Sequence, residues 1–208
     1  MYLSLIGMPG TGKTYWARKL ADIGFQVFFC DMEIEEKLSK NLITSDGVRI
    51  TVGEWMGLPD SVDYQSRENM YLNYEIEIMQ KILGEFEIQG RFSTDNVVID
   101  TTGSVIYSGD FIMDKLHNYT KIVYLSTPPD VLNMMVESYI KSPRPILWKK
   151  HFNRKKNEPY EDALLRCYSD LLFSREAIYQ QYAEVTMDYH MIRQNGFSAE
   201  TFLSLIVD

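Results

Sequence analysis

Short apolar runs alternate with longer amphipathic segments along most of this chain. Five of the runs have the length and the β-branched or aromatic content of buried strands. They cover residues 3–6, 25–30, 96–100, 119–125 and 184–188. Apolar positions at helical spacing predict the helices, which cover residues 14–21, 32–39, 66–86, 130–140, 159–182 and a final segment after Ser198. Because strands and helices alternate, the sequence predicts an α/β fold with a parallel sheet covered by helices on both faces.

The segment before the third helix has a less regular pattern than the end of the chain. Residues 41–63 contain several glycines and a proline, so the pattern predicts short pieces there, with one small helix around residues 51–56. The final helix has clearer boundaries. Ser198 is placed as its N-cap, and Phe197 and Phe202 are placed as a hydrophobic staple.

The first apolar run leads directly into residues 7–14, which read Gly-Met-Pro-Gly-Thr-Gly-Lys-Thr. This is a complete G-x-x-x-x-G-K-[ST] phosphate-binding loop, with the required strand before it and helix after it. A chance match in an ordinary strand-turn-helix connection is the alternative. We predict that Lys13 contacts the β- and γ-phosphates of ATP and that the Thr14 hydroxyl is a ligand of Mg²⁺. The predicted nucleotide site comprises Gly7, Gly10, Thr11, Gly12, Lys13 and Thr14.

An aspartate stands at the end of two predicted strands. Asp31 follows the second strand and Asp100 ends the third. Ligands of open α/β sheets bind outside the carboxyl ends of the strands, so both carboxylates are expected to face the site. Asp31 is also a good N-cap for the helix that follows it. Asp100 resembles the metal-binding acid of a Walker B element, although many α/β strands end in this way.

Composition and charge restrict the class of protein. The 208 residues, of which 45% are hydrophobic, fit one globular domain, residues 1–208. There is no apolar run of about 18 residues, so we expect a soluble cytoplasmic protein with no membrane partner. For a chain of this size we expect a monomer by default. A net charge of −8 argues against a nucleic-acid partner. We expect Cys30 and Cys167 to be buried thiols, and the three histidines lack the spacing of a zinc site.

One local charge pattern runs against this acidic balance. Seven of the 21 lysines and arginines fall within residues 141–156. Such a run is either a solvated loop or a basic cover over a phosphate-rich ligand, and the P-loop favours the cover.

With these motifs in place, the chain resembles the shikimate kinases, which have a nucleoside-monophosphate-kinase-like P-loop fold. The resemblance extends over nearly the whole length. Besides the P-loop, the matching segments are Asp31 to Glu35 (D-x-x-I-E), Tyr71 and Glu75 (F-R-x-x-E), residues 101–105 (the G-G-G-A-V turn), residues 144–147 (the R-P-L-L of the lid), and Leu171, Arg175 and Tyr179 (L-x-x-x-R-x-x-x-Y). The resemblance implies three layers around a five-stranded parallel sheet, a substrate-binding helical region at about 31–86 and a lid at about 141–158.

The same resemblance implies roles for single residues. Arg175 would bind the substrate carboxylate and Arg144 would approach the transferring phosphate from the lid. Thr102 and Gly103 would lie in the turn that the substrate approaches. A salt bridge on the helix surface is the alternative for Arg175.

Four departures from the family pattern affect these roles. The metal-site acid that the family has two residues before Asp31 is Phe29 here, so we expect Asp100 to take its place. The arginine of F-R-x-x-E is Leu72, and Arg67 is the candidate to replace it. The family often has an arginine against adenine where this chain has Glu137.

The fourth departure lies in the triple-glycine turn. Thr101 and Thr102 replace glycines there, which narrows the pocket and adds hydrogen-bonding groups. The phosphate-binding residues therefore match the family better than the shikimate contacts do.

The sequence predicts a kinase that transfers the γ-phosphoryl group of ATP to a hydroxyl of a small anionic metabolite. Lys13, Asp31 and Arg144 are the expected catalytic residues. The metal would be Mg²⁺, held by Thr14 and Asp100. The acceptor would contact Asp31, Thr102, Gly103, Arg175 and Arg67, and would be shikimate or a different small acceptor. The alternative function is a non-catalytic nucleotide-binding regulatory module.

Overall fold

The computed structural model describes residues 1–88, 95–142 and 144–207. At its centre lies a sheet of five strands, all parallel to their neighbours, in the order β2-β3-β1-β4-β5. The strands are β1 Tyr2–Ile6, β2 Gln26–Phe29, β3 Val97–Asp100, β4 Lys121–Leu125 and β5 Val185–Met187. This confirms the parallel sheet that the sequence predicts.

Eight α-helices surround the sheet in the described part of the chain. They are α1 Lys13–Ala21, α2 Cys30–Lys37, α3 Val52–Met56, α4 Tyr64–Phe86, α5 Asp110–Tyr119, α6 Leu132–Lys141, α7 Tyr160–Tyr182 and α8 Ala199–Val207. None of these helices combines the length and apolar character needed to cross a membrane.

The two faces of the sheet bury two separate groups of side chains. Successive residues of a strand point to opposite faces. In β4, Ile122 and Tyr124 pack into the larger core, whereas Val123 and Leu125 pack into the smaller one. The smaller core also contains Trp16 of α1, which stacks on Phe202 of α8 with 4.7 Å between ring centroids. Helices therefore cover both faces, as the near-continuous apolar strands predict.

Several predicted boundaries hold, and some are wrong. Ser198 accepts a hydrogen bond from the Thr201 N–H, as expected of the N-cap of α8. By contrast, α2 begins at Cys30, two residues earlier than predicted, so Cys30 is helical and the N-cap is Phe29. The prediction that Asp31 caps this helix is therefore wrong.

Helix α5 was missed by the sequence reasoning, which assigned no helix between the third and fourth strands. Its buried residues Ile112, Met113 and Leu116 have the i, i+4 spacing of an amphipathic helix. Gly109, with φ of 95°, precedes it, and Thr120 separates it from β4. The apolar spacing and the preceding glycine that predict this helix were therefore present in the sequence.

Both cysteines are buried free thiols, as predicted. The register of the sheet places Asp100 of β3 beside Leu5 of β1 and Phe29 of β2. The ends of these three strands therefore meet at one edge, immediately before the P-loop and α2.

Candidate active site

The P-loop, residues 7–14, connects β1 to α1 through three glycines with positive φ. These angles are 140° at Gly7, 91° at Gly10 and 101° at Gly12, and residues other than glycine rarely adopt such values. A Cβ on Gly7 would also lie 2.6 Å from the carbonyl oxygen of Leu125. The Thr11 hydroxyl closes the loop by donating to the Met8 carbonyl at 2.9 Å. The local sequence therefore dictates the shape of this loop.

Lys13, the first residue of α1, is buried against its own loop. Its Nζ donates to the carbonyl oxygens of Gly7 at 2.8 Å and Met8 at 3.2 Å. Burial lowers the pKa of the ammonium, and the charges of Asp100 and Asp31 act in the opposite direction. The ammonium thus lies between the phosphate-binding loop and two carboxylates.

Asp100 is buried at the end of β3, and its Oδ1 has no hydrogen-bond partner within the described residues. Burial raises the pKa of this carboxyl to about 6, while Lys13 and a hydrogen bond with Thr14 lower it. Residues 1–88, 95–142 and 144–207 contain no group of three histidines, cysteines or acids suited to a metal ion. A nucleotide-bound Mg²⁺ needs only one or two protein ligands, however, and an unpartnered carboxylate oxygen beside Thr14 fits that need.

Asp31 lies in the first turn of α2 and faces a cavity. The Tyr71 hydroxyl of α4 donates to its Oδ1 at 2.7 Å. Asp31 is exposed to the cavity, and the protein around it partly desolvates the carboxylate and raises its pKa, whereas Tyr71 and Lys13 lower it. Asp31 is therefore a fixed and comparatively basic carboxylate.

The cavity that Asp31 faces has a volume of about 680 Å³. Lys13 and Thr14 line it on the P-loop side, and Arg144 lines it from the segment after α6. A Cβ on Gly10 would lie 2.7 Å from Arg144 Nη1, so the guanidinium packs directly on the P-loop. Of the residues predicted from sequence, the cavity brings together Gly10, Gly12, Lys13, Thr14, Asp31, Gly103 and Arg144.

The far end of the cavity is formed by α2 and by the segment that leads into α3. Met32 and Glu35 line it from α2, and residues 49–53 line it from the opposite side. Arg49 lies in a small hairpin, in which Ile43 and Arg49 form an isolated antiparallel β-bridge. The Nη2 of Arg49 donates to Glu35 Oε1 at 3.0 Å. Sequence reasoning missed Arg49, and it named Glu35 only as part of the D-x-x-I-E match, because only the folded hairpin brings these two side chains together.

The turn after β3 is tied to a buried glutamate. Glu75 of α4 accepts hydrogen bonds from the hydroxyls of Thr102 and Ser104, the second at 2.5 Å. Burial raises the pKa of Glu75 to about 7, and these two hydrogen bonds lower it. Thr102 itself is 2% exposed and does not line the cavity. A Cβ on Gly103 would lie 2.6 Å from Pro9 Cδ, so this glycine allows the turn to touch the P-loop.

Arg175 lies beneath this turn and is completely buried. Its guanidinium donates to the carbonyl oxygens of Gly103 at 2.8 Å and Leu147 at 2.6 Å. It also packs over the ring of Tyr107. The alternative of a salt bridge on the helix surface is wrong, because the side chain has no exposed surface. Arg175 does not line the described cavity in this structure.

Arg67, the candidate replacement for the arginine missing at Leu72, also lies away from the described cavity. Its Nη1 donates to the Trp55 carbonyl at 2.6 Å, and its Nη2 pairs with Asp63 at 3.0 Å. The first contact holds the start of α4 against α3, and the second is an i, i+4 pair within the start of α4. Arg49 is instead the arginine that faces the far end of the cavity.

The basic segment at about 141–158 is anchored at its middle; Pro143 lies outside the described residues. Ile146, Leu147 and Trp148 are buried, and the Tyr64 hydroxyl donates to the Ile146 carbonyl at 2.5 Å. The same hydroxyl accepts from the Trp148 N–H at 2.9 Å. Glu68, also buried, accepts from the backbone N–H of Lys149 at 2.8 Å. Two residues of α4 therefore fix the chain directly after Arg144.

The fold and the P-loop define a class of protein, the P-loop α/β proteins with a five-stranded parallel sheet. Within that class the chain has a shikimate-kinase-like fold. Solved shikimate kinases match it over almost its full length. The enzyme of Acinetobacter baumannii, in complex with shikimate, is 22% identical with a TM-score of 0.64, covering 99% of this chain and 92% of that one.

Two further shikimate kinases show the same fold. That of Bacteroides thetaiotaomicron is 18% identical with a TM-score of 0.61, covering 98% of this chain and 94% of its own. That of Aquifex aeolicus is 14% identical with a TM-score of 0.61, covering 100% and 96%. No protein-family model matches the sequence, and no curated protein matches it. Identities this low establish the fold alone.

Proposed function

We propose that this chain is an ATP-dependent kinase that phosphorylates a hydroxyl of a small anionic metabolite. The observation that carries the proposal is that Lys13, Thr14, Asp31 and Arg144 all line the same cavity. A nucleotide-binding loop alone needs no carboxylate opposite it. A carboxylate facing the P-loop across a cavity is what an acceptor hydroxyl requires.

Phosphoryl transfer depends chiefly on positioning and on neutralising charge. Lys13 and Arg144 would neutralise the transferring group from two sides. Asp31, oriented by Tyr71, would hold the acceptor hydroxyl and take its proton, and its raised pKa makes it a better base than an ordinary aspartate. The hydroxyl oxygen would then form the new bond to phosphorus as the bond to the leaving ADP oxygen breaks.

Thr14 and the unpartnered Oδ1 of Asp100 are the groups that would hold Mg²⁺. The bound ion would supply further neutralisation of the phosphate oxygens. Gly7, Gly10, Thr11 and Gly12 would shape the backbone that cradles the phosphates.

The acceptor site is proposed to include Asp31 and Gly103, which face the cavity. The substrate roles that the sequence predicts for Thr102, Arg175 and Arg67 would need these side chains to move from the contacts described above. We propose that residues 1–208 work as one domain, as a cytoplasmic monomer, with acceptor contacts drawn from about 31–86. The lid at about 141–158 would move on either side of residues 146–148, because those residues are anchored to α4 and α7.

The test is transfer of phosphate from ATP with Mg²⁺ to a panel of hydroxylated acids, shikimate included, and their neutral analogues. Phosphorylated product is detected by mass spectrometry and ADP by a coupled assay. Lys13→Met should reduce transfer by at least about a hundredfold, since it removes a charge aimed at the transferring group. Lys19→Met, which changes an exposed lysine of the same helix, is the control. Full activity in Lys13→Met, or no product from the wild-type protein with any acceptor, would contradict the proposal.

A non-catalytic nucleotide-binding module is the second candidate. The position of Arg175 and Arg67 away from the described cavity favours it, because a pure nucleotide binder needs no acceptor arginines. Stabilisation by ATP and Mg²⁺ in a thermal-shift assay, without product from any acceptor, would identify this function.

A further inference from the structure

The far end of the cavity contains an ion pair. Its arginine would attract an anionic acceptor, whereas its glutamate would repel one. Arg49 and Glu35 face each other across this end, 3.0 Å apart, and both line the cavity that contains Asp31. Of the basic residues among the described lining, Lys13 and Arg144 belong to the phosphate end. Arg49 is therefore the basic side chain at the acceptor end.

We propose that Arg49 is the residue that selects an anionic acceptor, binding its carboxylate or phosphate group. This inference rests on the proposed function and names the residue that determines specificity. Asp31 and Glu35 are four residues apart on α2 and so lie on the same side of that helix. Without Arg49, the charged side chains of the described lining at the acceptor end would be these two carboxylates, and an anion would be repelled.

The geometry of Arg49 leaves room for a second partner. A guanidinium has five N–H donors in a planar fork, and one of them accounts for the hydrogen bond to Glu35. The side chains of Arg49 and Glu35 are 59% and 47% exposed, so an incoming acid can reach the remaining donors. Glu35 orients the guanidinium but also weakens its attraction for an anion.

The hairpin that carries Arg49 is a defined element. The Ile50 N–H donates to the Leu42 carbonyl at 2.9 Å and the Thr44 N–H donates to the Val48 carbonyl at 2.9 Å. Thr51 then caps α3 with a capping box formed with Glu54. The backbone on both sides of Arg49 is therefore fixed, so the side chain is held at the cavity by the fold.

Two substitutions test the assignment because they should change acid binding in opposite directions. Arg49→Gln should weaken binding of the preferred acid about tenfold, since it removes a charge-assisted hydrogen bond at a partly exposed position. Glu35→Gln should tighten it by about threefold, because it removes a competing negative charge. Both effects should shrink as ionic strength rises.

Lys37→Gln and Glu77→Gln are matched controls. These residues form a comparable ion pair at 2.7 Å between α2 and α4, and neither lines the cavity. Affinities are measured by thermal shift and calorimetry. The acids are shikimate, quinate and gluconate. Their neutral counterparts are methyl shikimate, methyl quinate and glucose, respectively. A non-hydrolysable ATP analogue and Mg²⁺ are present throughout to occupy the P-loop.

The expected result is a preference for an acid over its neutral counterpart that Arg49→Gln abolishes and Glu35→Gln increases. The inference is overturned if no acid is preferred, if Arg49→Gln binds the acid as the wild type does, or if the two substitutions change affinity in the same direction. Transfer of phosphate to a neutral alcohol, dependent on Lys13, would overturn the role of Arg49 and leave the kinase intact. Lack of transfer to every acceptor would overturn the proposed function itself.

Discussion

Tyr64→Phe should loosen the segment that follows Arg144. The Tyr64 hydroxyl bridges the carbonyl of Ile146 and the N–H of Trp148, two backbone groups of buried residues. Phenylalanine fills the same space but leaves both groups without this partner. An unsatisfied buried polar group costs about 1–3 kcal/mol, so for two such groups the expected loss of unfolding free energy is about 2–6 kcal/mol, near the lower value if water enters.

Urea unfolding of the ligand-free protein measures this loss. The substitution should lower the urea concentration at the unfolding midpoint and leave the m-value, the dependence of the unfolding free energy on urea, unchanged. Limited trypsin digestion gives a local measurement, because Lys149, Lys150, Arg154, Lys155 and Lys156 are cleavage sites directly after the anchor. Cleavage there should accelerate in Tyr64→Phe, since proteolysis follows the population of the locally open state.

Tyr74→Phe on the same helix is the control, because the ring of Tyr74 keeps its contact with Lys37 in that variant. If Tyr64→Phe unfolds within about 0.5 kcal/mol of the control, a difference typical of neutral surface substitutions, the bridging hydroxyl does not anchor the segment. An unchanged trypsin pattern would lead to the same conclusion.

Two other variants give further predictions. Arg175→Ala should lower the unfolding free energy by about 2–4 kcal/mol, because the Leu147 carbonyl loses a partner and a cavity opens. If urea unfolding is unchanged and the acceptor KM is raised, Arg175 instead has an acceptor-binding role. Glu75 has a folded-state pKa of about 7, above its ordinary 4.5, so its contribution to stability is complete below pH 4.5 and is lost as the pH rises through 7. Glu75→Gln should therefore flatten the fall in unfolding free energy between pH 4.5 and 7, by on the order of 3 kcal/mol, as followed by urea unfolding in a pH series. Equal slopes in the two proteins would show that another group titrates.

The features that the sequence predicts well are those with local causes. Residues 7–14 specify their own loop through glycines and a following helix. Five apolar runs specify the five strands, of which β1, β3 and β4 are largely buried whereas β2 is half-buried and β5 is only partly buried. The boundary at Asp31 was wrong because the apolar character of the strand continues into the first residue of α2. Helix α5 could have been predicted from the spacing of Ile112 and Leu116.

The features that the sequence does not reveal depend on distant backbone. The partners of Arg175 are the carbonyl oxygens of Gly103 and Leu147, and no residue pattern identifies a main-chain acceptor. Arg49 reaches the cavity because a hairpin folds back and pairs with Glu35. Its position follows from tertiary structure, whereas the arginine missing at Leu72 was sought within the same helix.

The contact between Gly103 and Pro9 has a consequence for how such a protein can change its substrate. The turn that carries Gly103 is bound to Glu75 and Arg175 and touches the P-loop, so a substitution that remodels it would also displace the phosphate-binding backbone. Among the described residues, the hydrogen bonds of the Arg49 hairpin run within residues 42–50 and to Glu35, and none of them reaches the P-loop. New acceptor preferences would therefore arise most readily by exchange of residues 43–50, which makes this hairpin the part of the cavity to vary in a directed-evolution library.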